Sequence, residues 1–398
     1  MINDLQEVDG VDFWREADQV NRIADMMLSP EAKETVLQKL DDLGINYEVI
    51  ISDVEQRNEA ERQQRFDTLF RPHPLARGAV DNKADAIPDF WKTYQRYDRH
   101  VALVDALVAQ NPAIASKLTI GKSSEKRDIV AIRIGVNGGS ASKKVIWIEG
   151  GIHAREWISP ATVTYFAQQL VNKYQANDDT VKDLLGYFDI IIVPSLNVDG
   201  YEYTHTNSRL WRKTRGKNSG STCIGADPNR NFGYQWGGTG ASSNPCSETY
   251  RGDKAHSEVE VLAETDYIVK NFKGRISSFL SVHSYGQYWL YPWGYTSNVT
   301  PDDKELNRVA KAAVAALNKV TPSTKYTIGT STNVLYAAAG GADDWSYGNA
   351  SAKFSYTVEL RDTGTYGFQL PANQIIPTGE ETTAAFIALA VEVKKSGA

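Results

Sequence analysis

Between residues 97 and 395 the chain alternates short apolar runs with longer amphipathic ones, and this alternation limits the available folds more than any other feature. The strand-like runs are 128–135, 144–149, 188–195, 276–283 and 354–360. The helix-like runs are 97–110, 160–175, 257–272, 303–319 and 379–395. Strands separated by helices are joined by crossovers rather than hairpins, which sets them parallel and covers the sheet with helices. The reading is an α/β fold: a mixed, mostly parallel central sheet with helices on both faces, preceded by a small α/β open-sandwich unit. In such sheets the reactive residues collect in loops past the strand ends. His153, His283 and Glu359 each lie at or just beyond one.

The front of the chain differs in charge from the rest. Residues 1–77 hold 17 acidic and 9 basic residues, a balance of −8, whereas the remainder holds 32 and 34, a balance of +2. Two units with different roles are implied, residues 1–77 and 78–398. Within the first, 14–28 reads as helical, Tyr47–Ile51 as a strand and 54–70 as a charged amphipathic helix. The stretch 71–83, with Pro72, Pro74 and Gly78, reads as an exposed linker. Arg77 in it is a natural target for a trypsin-like protease, and Arg71 is a poorer one because Pro72 follows. Basic residues are scattered among acidic ones, so no nucleic-acid stripe is expected. No apolar run approaches 18 residues, so no membrane span is expected. The opening Met1-Ile-Asn-Asp-Leu5 lacks the basic and apolar regions of a signal peptide.

The segment Trp147-Ile-Glu-Gly-Gly-Ile-His-Ala-Arg-Glu-Trp157 carries the first chemistry. A buried strand leaves through two glycines, and the spacing of His153 and Glu156 lets one turn aim both at a single point. With His283 they form a His₂Glu set, the ligand set of catalytic zinc sites that keep a fourth position open for water. Cys223 and Cys246 are the only cysteines. By count alone they are either one disulfide or two buried thiols. Asn298-Val-Thr and Asn349-Ala-Ser are acceptor motifs for glycosylation.

Six ordered motifs give the chain a more specific likeness: His153-Ala-Arg-Glu156-Trp, Leu210-Trp-Arg212-Lys-Thr-Arg, Asp227-Pro-Asn229-Arg230-Asn-Phe, His283-Ser-Tyr285, Leu335-Tyr336 with Gly-Gly-Ala-Asp343-Asp-Trp345, and Glu359-Leu-Arg-Asp-Thr-Gly. The sequence resembles a zinc metallocarboxypeptidase of the pancreatic A/B type, with residues 1–77 resembling that family's activation segment. The resemblance implies one zinc per chain on His153, Glu156 and His283. It implies Glu359 as the catalytic glutamate and Arg212 as the oxyanion-stabilising arginine. Arg230 and Asn229 would bind the substrate's C-terminal carboxylate, with Arg155, Tyr285 and Tyr336 assisting; a planar guanidinium suits a carboxylate better than an ammonium. Asp227 would hold the ring of His153, while His205 and His256 have no metal role. The family also implies a Cys223–Cys246 disulfide, hence secretion into an oxidising compartment, and cis peptide bonds at Ser284–Tyr285, Pro292–Trp293 and Arg361–Asp362. Substrates would be peptide or protein C-termini, the activator a trypsin-like protease, the regulators protein inhibitors, and the enzyme a monomer. At the specificity pocket, Asp343 stands where A-type members carry an apolar residue, near Ser331 and Gly294. A buried carboxylate there calls for a substrate Lys or Arg side chain, as in the B type. Leu335 keeps an A-type or broad specificity open, and a catalytically inactive binding protein on the same fold is the reading from another class.

Overall fold

The computed structural model describes residues 5, 8–16, 22–70, 87 and 89–398. Two strands lie in the front unit, β1 (Val11–Arg15) and β2 (Asp25–Leu28). Eight more build the body: β3 (Ala115–Lys122), β4 (Asp128–Ile134), β5 (Lys144–Gly150), β6 (Phe188–Val193), β7 (Ile276–Ser284), β8 (Tyr288–Tyr291), β9 (Thr327–Thr330) and β10 (Phe354–Leu360). Their order in the sheet is β3-β4-β6-β5-β7-β10-β8-β9. The central four, β6, β5, β7 and β10, are parallel neighbours, and antiparallel pairs flank them. The expected α/β architecture is the observed one.

Strand alternation sends successive side chains to opposite faces. Trp147 on β5 meets Tyr267 and Phe272 of the helix Val259–Phe272 on one face. Phe386 of the helix Ile375–Lys395 meets Trp289 on β8 and Phe166 of the helix Ile158–Gln175 on the other. All of β6 and all but the first residue of β5 are buried, which is why both read as unbroken apolar runs. The strands that the apolar pattern does not reveal are β3, β8 and β9. β3 and β9 are the sheet's edges, and β8 and β9 have four residues each, too few for a period.

The front unit corrects two expectations. The described residues of the expected helix 14–28 are not helical; they contain the end of β1 and all of β2, which pair antiparallel with Val11 opposite Leu28. Cross-strand pairing and the small core of Leu5, Val36 and Leu40 outweigh local helical spacing there. Tyr47–Ile51 is not a strand either. Tyr47, Val49 and Ile50 are exposed, and no ladder partner reaches them among the described residues. The helix Val54–Phe70 is where expected, and a helix at Pro30–Asp42 accompanies it. The linker, with both arginine cleavage sites, lies outside the described residues.

Gly150 and Gly151 steer the chain out of β5. A Cβ at Gly150 would stand 2.8 Å from Val163 Cγ2 and 2.9 Å from the Pro194 carbonyl oxygen, and Gly151 has φ +59°. Gly150→Ala should therefore destabilise the protein by about 1–3 kcal/mol, as overpacking does. Denaturant unfolding checks this, and a loss below about 0.5 kcal/mol, the range of an ordinary surface change, would contradict it.

Candidate active site

β5, β7 and β10 finish side by side. β5 passes through the glycines to His153 and Glu156, while His283 near the end of β7 stands in register with Glu359 near the end of β10. One potential ligand atom from each of His153, Glu156 and His283 lies within 4.8 Å of the others, and all three residues are buried. His153 Nδ1 is 2.8 Å from Glu156 Oε1. His283 Nδ1 is 3.2 Å from His153 Nδ1 and 3.2 Å from Glu156 Oε2. Burial opposes a charged His283, yet Glu156 foremost, then Glu359 and Glu149, push it up to about 9. The cluster attracts positive charge. Its donors, two imidazoles and one carboxylate, suit zinc with an open position.

Supporting contacts orient the ligands. His153 Nε2 lies 3.0 Å from Asp227 Oδ1, which leaves Nδ1 to face the cluster. Asp227 Oδ2 also accepts from Arg212, at 2.8 Å from Nη2 and 3.2 Å from Nε. Burial opposes ionisation of Asp227, but Arg212, His153 and Arg230 hold it well below the usual carboxylate range.

The remaining expected residues, Arg155 apart, line one cavity beside the cluster: Arg212, Asn229, Arg230, Tyr285, Tyr336, Asp343 and Glu359. Arg230 donates through Nε to the Gly240 carbonyl and through Nη1 to that of Asn229, while its buried Nη2 has no protein partner. Glu359 Oε2 is also buried without a partner. Burial pushes its carboxyl up to about 8, against the pull of His283 and Arg212. Arg361 does not pair with it; that side chain donates to Glu381 and Gln374 instead. Asp343 accepts from the Ser331 hydroxyl at 2.8 Å and the Asp344 amide at 2.9 Å. None of the ion pairs among the described residues includes Asp343. Asp344 serves the backbone instead, its oxygens accepting the Gly294 and Tyr295 amides.

Arg155 is engaged elsewhere. Its Nη1 donates to Asp12 Oδ2 of the front unit at 2.6 Å. Tyr285 likewise donates its phenol to Asp25 at 2.7 Å, and Arg15 donates to the same carboxylate. Trp14 and Arg15 complete the cavity wall, Arg22 donates to the carbonyls of residues 333–335, and Glu61 pairs with Arg209 at 2.5 Å. The space left is about 80 Å³, below the several hundred Å³ of a usual ligand pocket. Sequence reasoning missed Asp12, Trp14, Arg15 and Asp25, and the only signal pointing to them was the negative balance of the front segment. It also missed Thr357, which lines the cavity beside Asp343 from mid-β10.

The Cys223–Cys246 disulfide is formed, and the three expected peptide bonds are cis. His205 stacks on Trp157, and His256 accepts the Gly233 amide, both away from the metal ligands.

Residues 100–385 match the zinc carboxypeptidase family, and residues 1–61 match the carboxypeptidase activation peptide. Carboxypeptidase B of Astacus astacus is 48% identical over 73% of this chain and 94% of its own length. Carboxypeptidase A1 of Rattus norvegicus is 40% identical over 98% of this chain and 88% of its own. The crystal structure of thrombin activatable fibrinolysis inhibitor aligns with a TM-score of 0.86 at 32% identity, covering 99% of this chain and 95% of that one. Likeness to A-type and B-type relatives leaves the subtype to the pocket. Its zinc ligands being His153, Glu156 and His283, the chain belongs to the zinc carboxypeptidase family, as a proenzyme that carries its activation segment and releases C-terminal residues from peptides.

Proposed function

We propose that the activated enzyme preferentially removes C-terminal lysine and arginine. The observation that carries this reading is Asp343, a buried carboxylate in the cavity wall with no cationic partner among the described residues. Burial raises its proton affinity, and the Ser331 hydroxyl lowers it. A substrate ammonium or guanidinium would supply the missing charge and offset the desolvation. Leu290 and Leu335 give the same cavity apolar surface, which favours a broader specificity as the second reading.

The substrate's terminal carboxylate is proposed to bind the free Nη2 of Arg230, with Asn229 beside it and Tyr336 closing over it. Both interactions hold the scissile bond in place. Zinc, when bound, supplies a Lewis acid that polarises the peptide carbonyl and makes water more acidic. Glu359, whose buried Oε2 has no hydrogen-bond partner, takes a proton from the attacking water and passes it to the leaving amine. Arg212, fixed by Asp227 on one edge, presents its charge to the oxyanion. In the uncut chain Asp12 holds Arg155 and the front segment fills the approach. Residues 1–77 thus act as an inhibitory prodomain, removed by a trypsin-like protease at Arg77. The disulfide supports a secreted enzyme working in an oxidising compartment.

Glu359→Gln should lower kcat by about 10²- to 10⁴-fold, the usual contribution of a general base, with zinc content unchanged. Zinc lost in step with activity would refute that assignment. With the trypsin-treated enzyme, kcat/KM should be higher for C-terminal Arg and Lys than for Phe and Leu. Asp343→Ala should cut the Arg value by about a hundredfold, since leaving one partner of a desolvated charge pair unmatched costs about 2–5 kcal/mol. Faster cleavage of Phe by the unmutated enzyme would overturn the basic-residue preference. Trypsin should also release activity together with a new N-terminus at Gly78, and Asp12→Ala should raise the activity of the uncut chain by about tenfold or more on the same charge-pair reasoning. Full activity before cleavage would rule out the inhibitory role.

A further inference from the structure

Behind the zinc ligands lies a buried hydrogen-bonded chain that the catalytic scheme does not use. His283 Nε2 is 2.9 Å from Ser281 Oγ, and Ser281 Oγ donates to Glu149 Oε1 at 2.6 Å. A second buried carboxyl, Glu264, feels the charge of Glu149, and its Oε1 accepts the indole Nε1 of Trp147 at 2.7 Å. All four polar residues of the chain are fully or almost fully buried. Strand register explains the line-up: Ser281 on β7 stands opposite Glu149 on β5, and Glu264 reaches in from the helix Val259–Phe272 that covers this face.

The hydrogens can be placed from donor counting alone. Glu149 Oε2 and Glu264 Oε2 are buried and have no hydrogen-bond partner. The indole N–H occupies Glu264 Oε1, and the serine O–H occupies Glu149 Oε1. Burial and the neighbouring Glu149 charge both raise the proton affinity of Glu264. Ser281 has a single hydrogen. Once Glu149 accepts it, the serine oxygen can only accept from His283, which keeps a proton on Nε2, so that the neutral ring offers its lone pair at Nδ1, the nitrogen facing His153 and Glu156.

We infer that Glu149, acting through Ser281, is a positioning residue that fixes the metal-binding tautomer of His283. His153 gets the same service directly from Asp227; His283 gets it through a hydroxyl. This assignment concerns zinc binding and is independent of which C-terminal residue is removed.

The test is chelator-competition titration of zinc on the full-length protein, with ¹⁵N NMR of the His283 ring in the zinc-free form at a pH high enough for that ring to be neutral. Glu149→Leu should weaken zinc binding by about 10- to 100-fold, the usual effect of losing an outer partner of a metal ligand. It should also move His283 from an Nε2–H ring to a mixture with Nδ1–H, because the freed serine hydrogen can then be donated to Nε2. Glu264→Gln keeps an acceptor for Trp147 and should hold zinc within about twofold of the unmutated chain. Should Glu149→Leu fail to fold, Ser281→Ala reports the same loss of affinity with a smaller perturbation. Unchanged zinc affinity and an unchanged tautomer in a folded Glu149→Leu or Ser281→Ala protein would overturn the inference, as would a Glu264→Gln loss as large as that of Glu149→Leu.

Discussion

The structure depends on the parallel register of β5, β7 and β10. Three adjacent strands running the same way end on the same edge of the sheet, so residues separated by more than a hundred positions arrive within hydrogen-bonding distance. Register also decides which face they share. Glu149 opposite Ser281, Ser281 opposite Thr357 and His283 opposite Glu359 form rows on one pleated surface. A slip of one residue in β7 would turn His283 to the opposite face and disassemble the site. The buried apolar runs that hold this register in place are therefore as necessary to the chemistry as the ligands.

Charge burial is the second organising constraint. An ionised group inside a protein is costly unless an opposite charge and hydrogen bonds meet it. Most buried ions here comply: Asp227 meets Arg212 and His153, Arg361 meets Glu381, and Asp344 meets two backbone amides. Three exceptions line the cavity. Arg230 keeps a donor free, Glu359 keeps an oxygen free, and Asp343 has no cation. Such unmet groups mark where a substrate or ion completes the electrostatics.

The front segment completes part of this arrangement by itself. Asp12 answers Arg155, Glu61 answers Arg209, and Asp25 engages Tyr285. Its acidic balance therefore has a spatial meaning, since the carboxylates face basic and phenolic groups around the cleft. It does not reach every group; Arg230 and Asp343 keep their open valences beneath it.

Period and spacing made the body legible. Buried central strands read as continuous apolar runs, and helices with one apolar stripe read at their own period, so most of the sheet and its covering were visible. Ligands close in sequence, His153 and Glu156, were visible because one turn joins them. The front unit was misread at 14–28 and 47–51, where short segments take their conformation from neighbours rather than from local pattern. Strands β3, β8 and β9, at or next to the sheet's edges, were too short or too mixed to show a period. By itself, the sequence determined the α/β architecture, the zinc donors and the pocket carboxylate, because side-chain chemistry and periodicity are local properties. Only the tertiary structure decided that Asp12 occupies Arg155, that Arg230 keeps one donor free, and that Glu264 stands behind Glu149 and His283. Those contacts join segments far apart in the chain, and their geometry comes from strand register and packing, which no local spacing encodes.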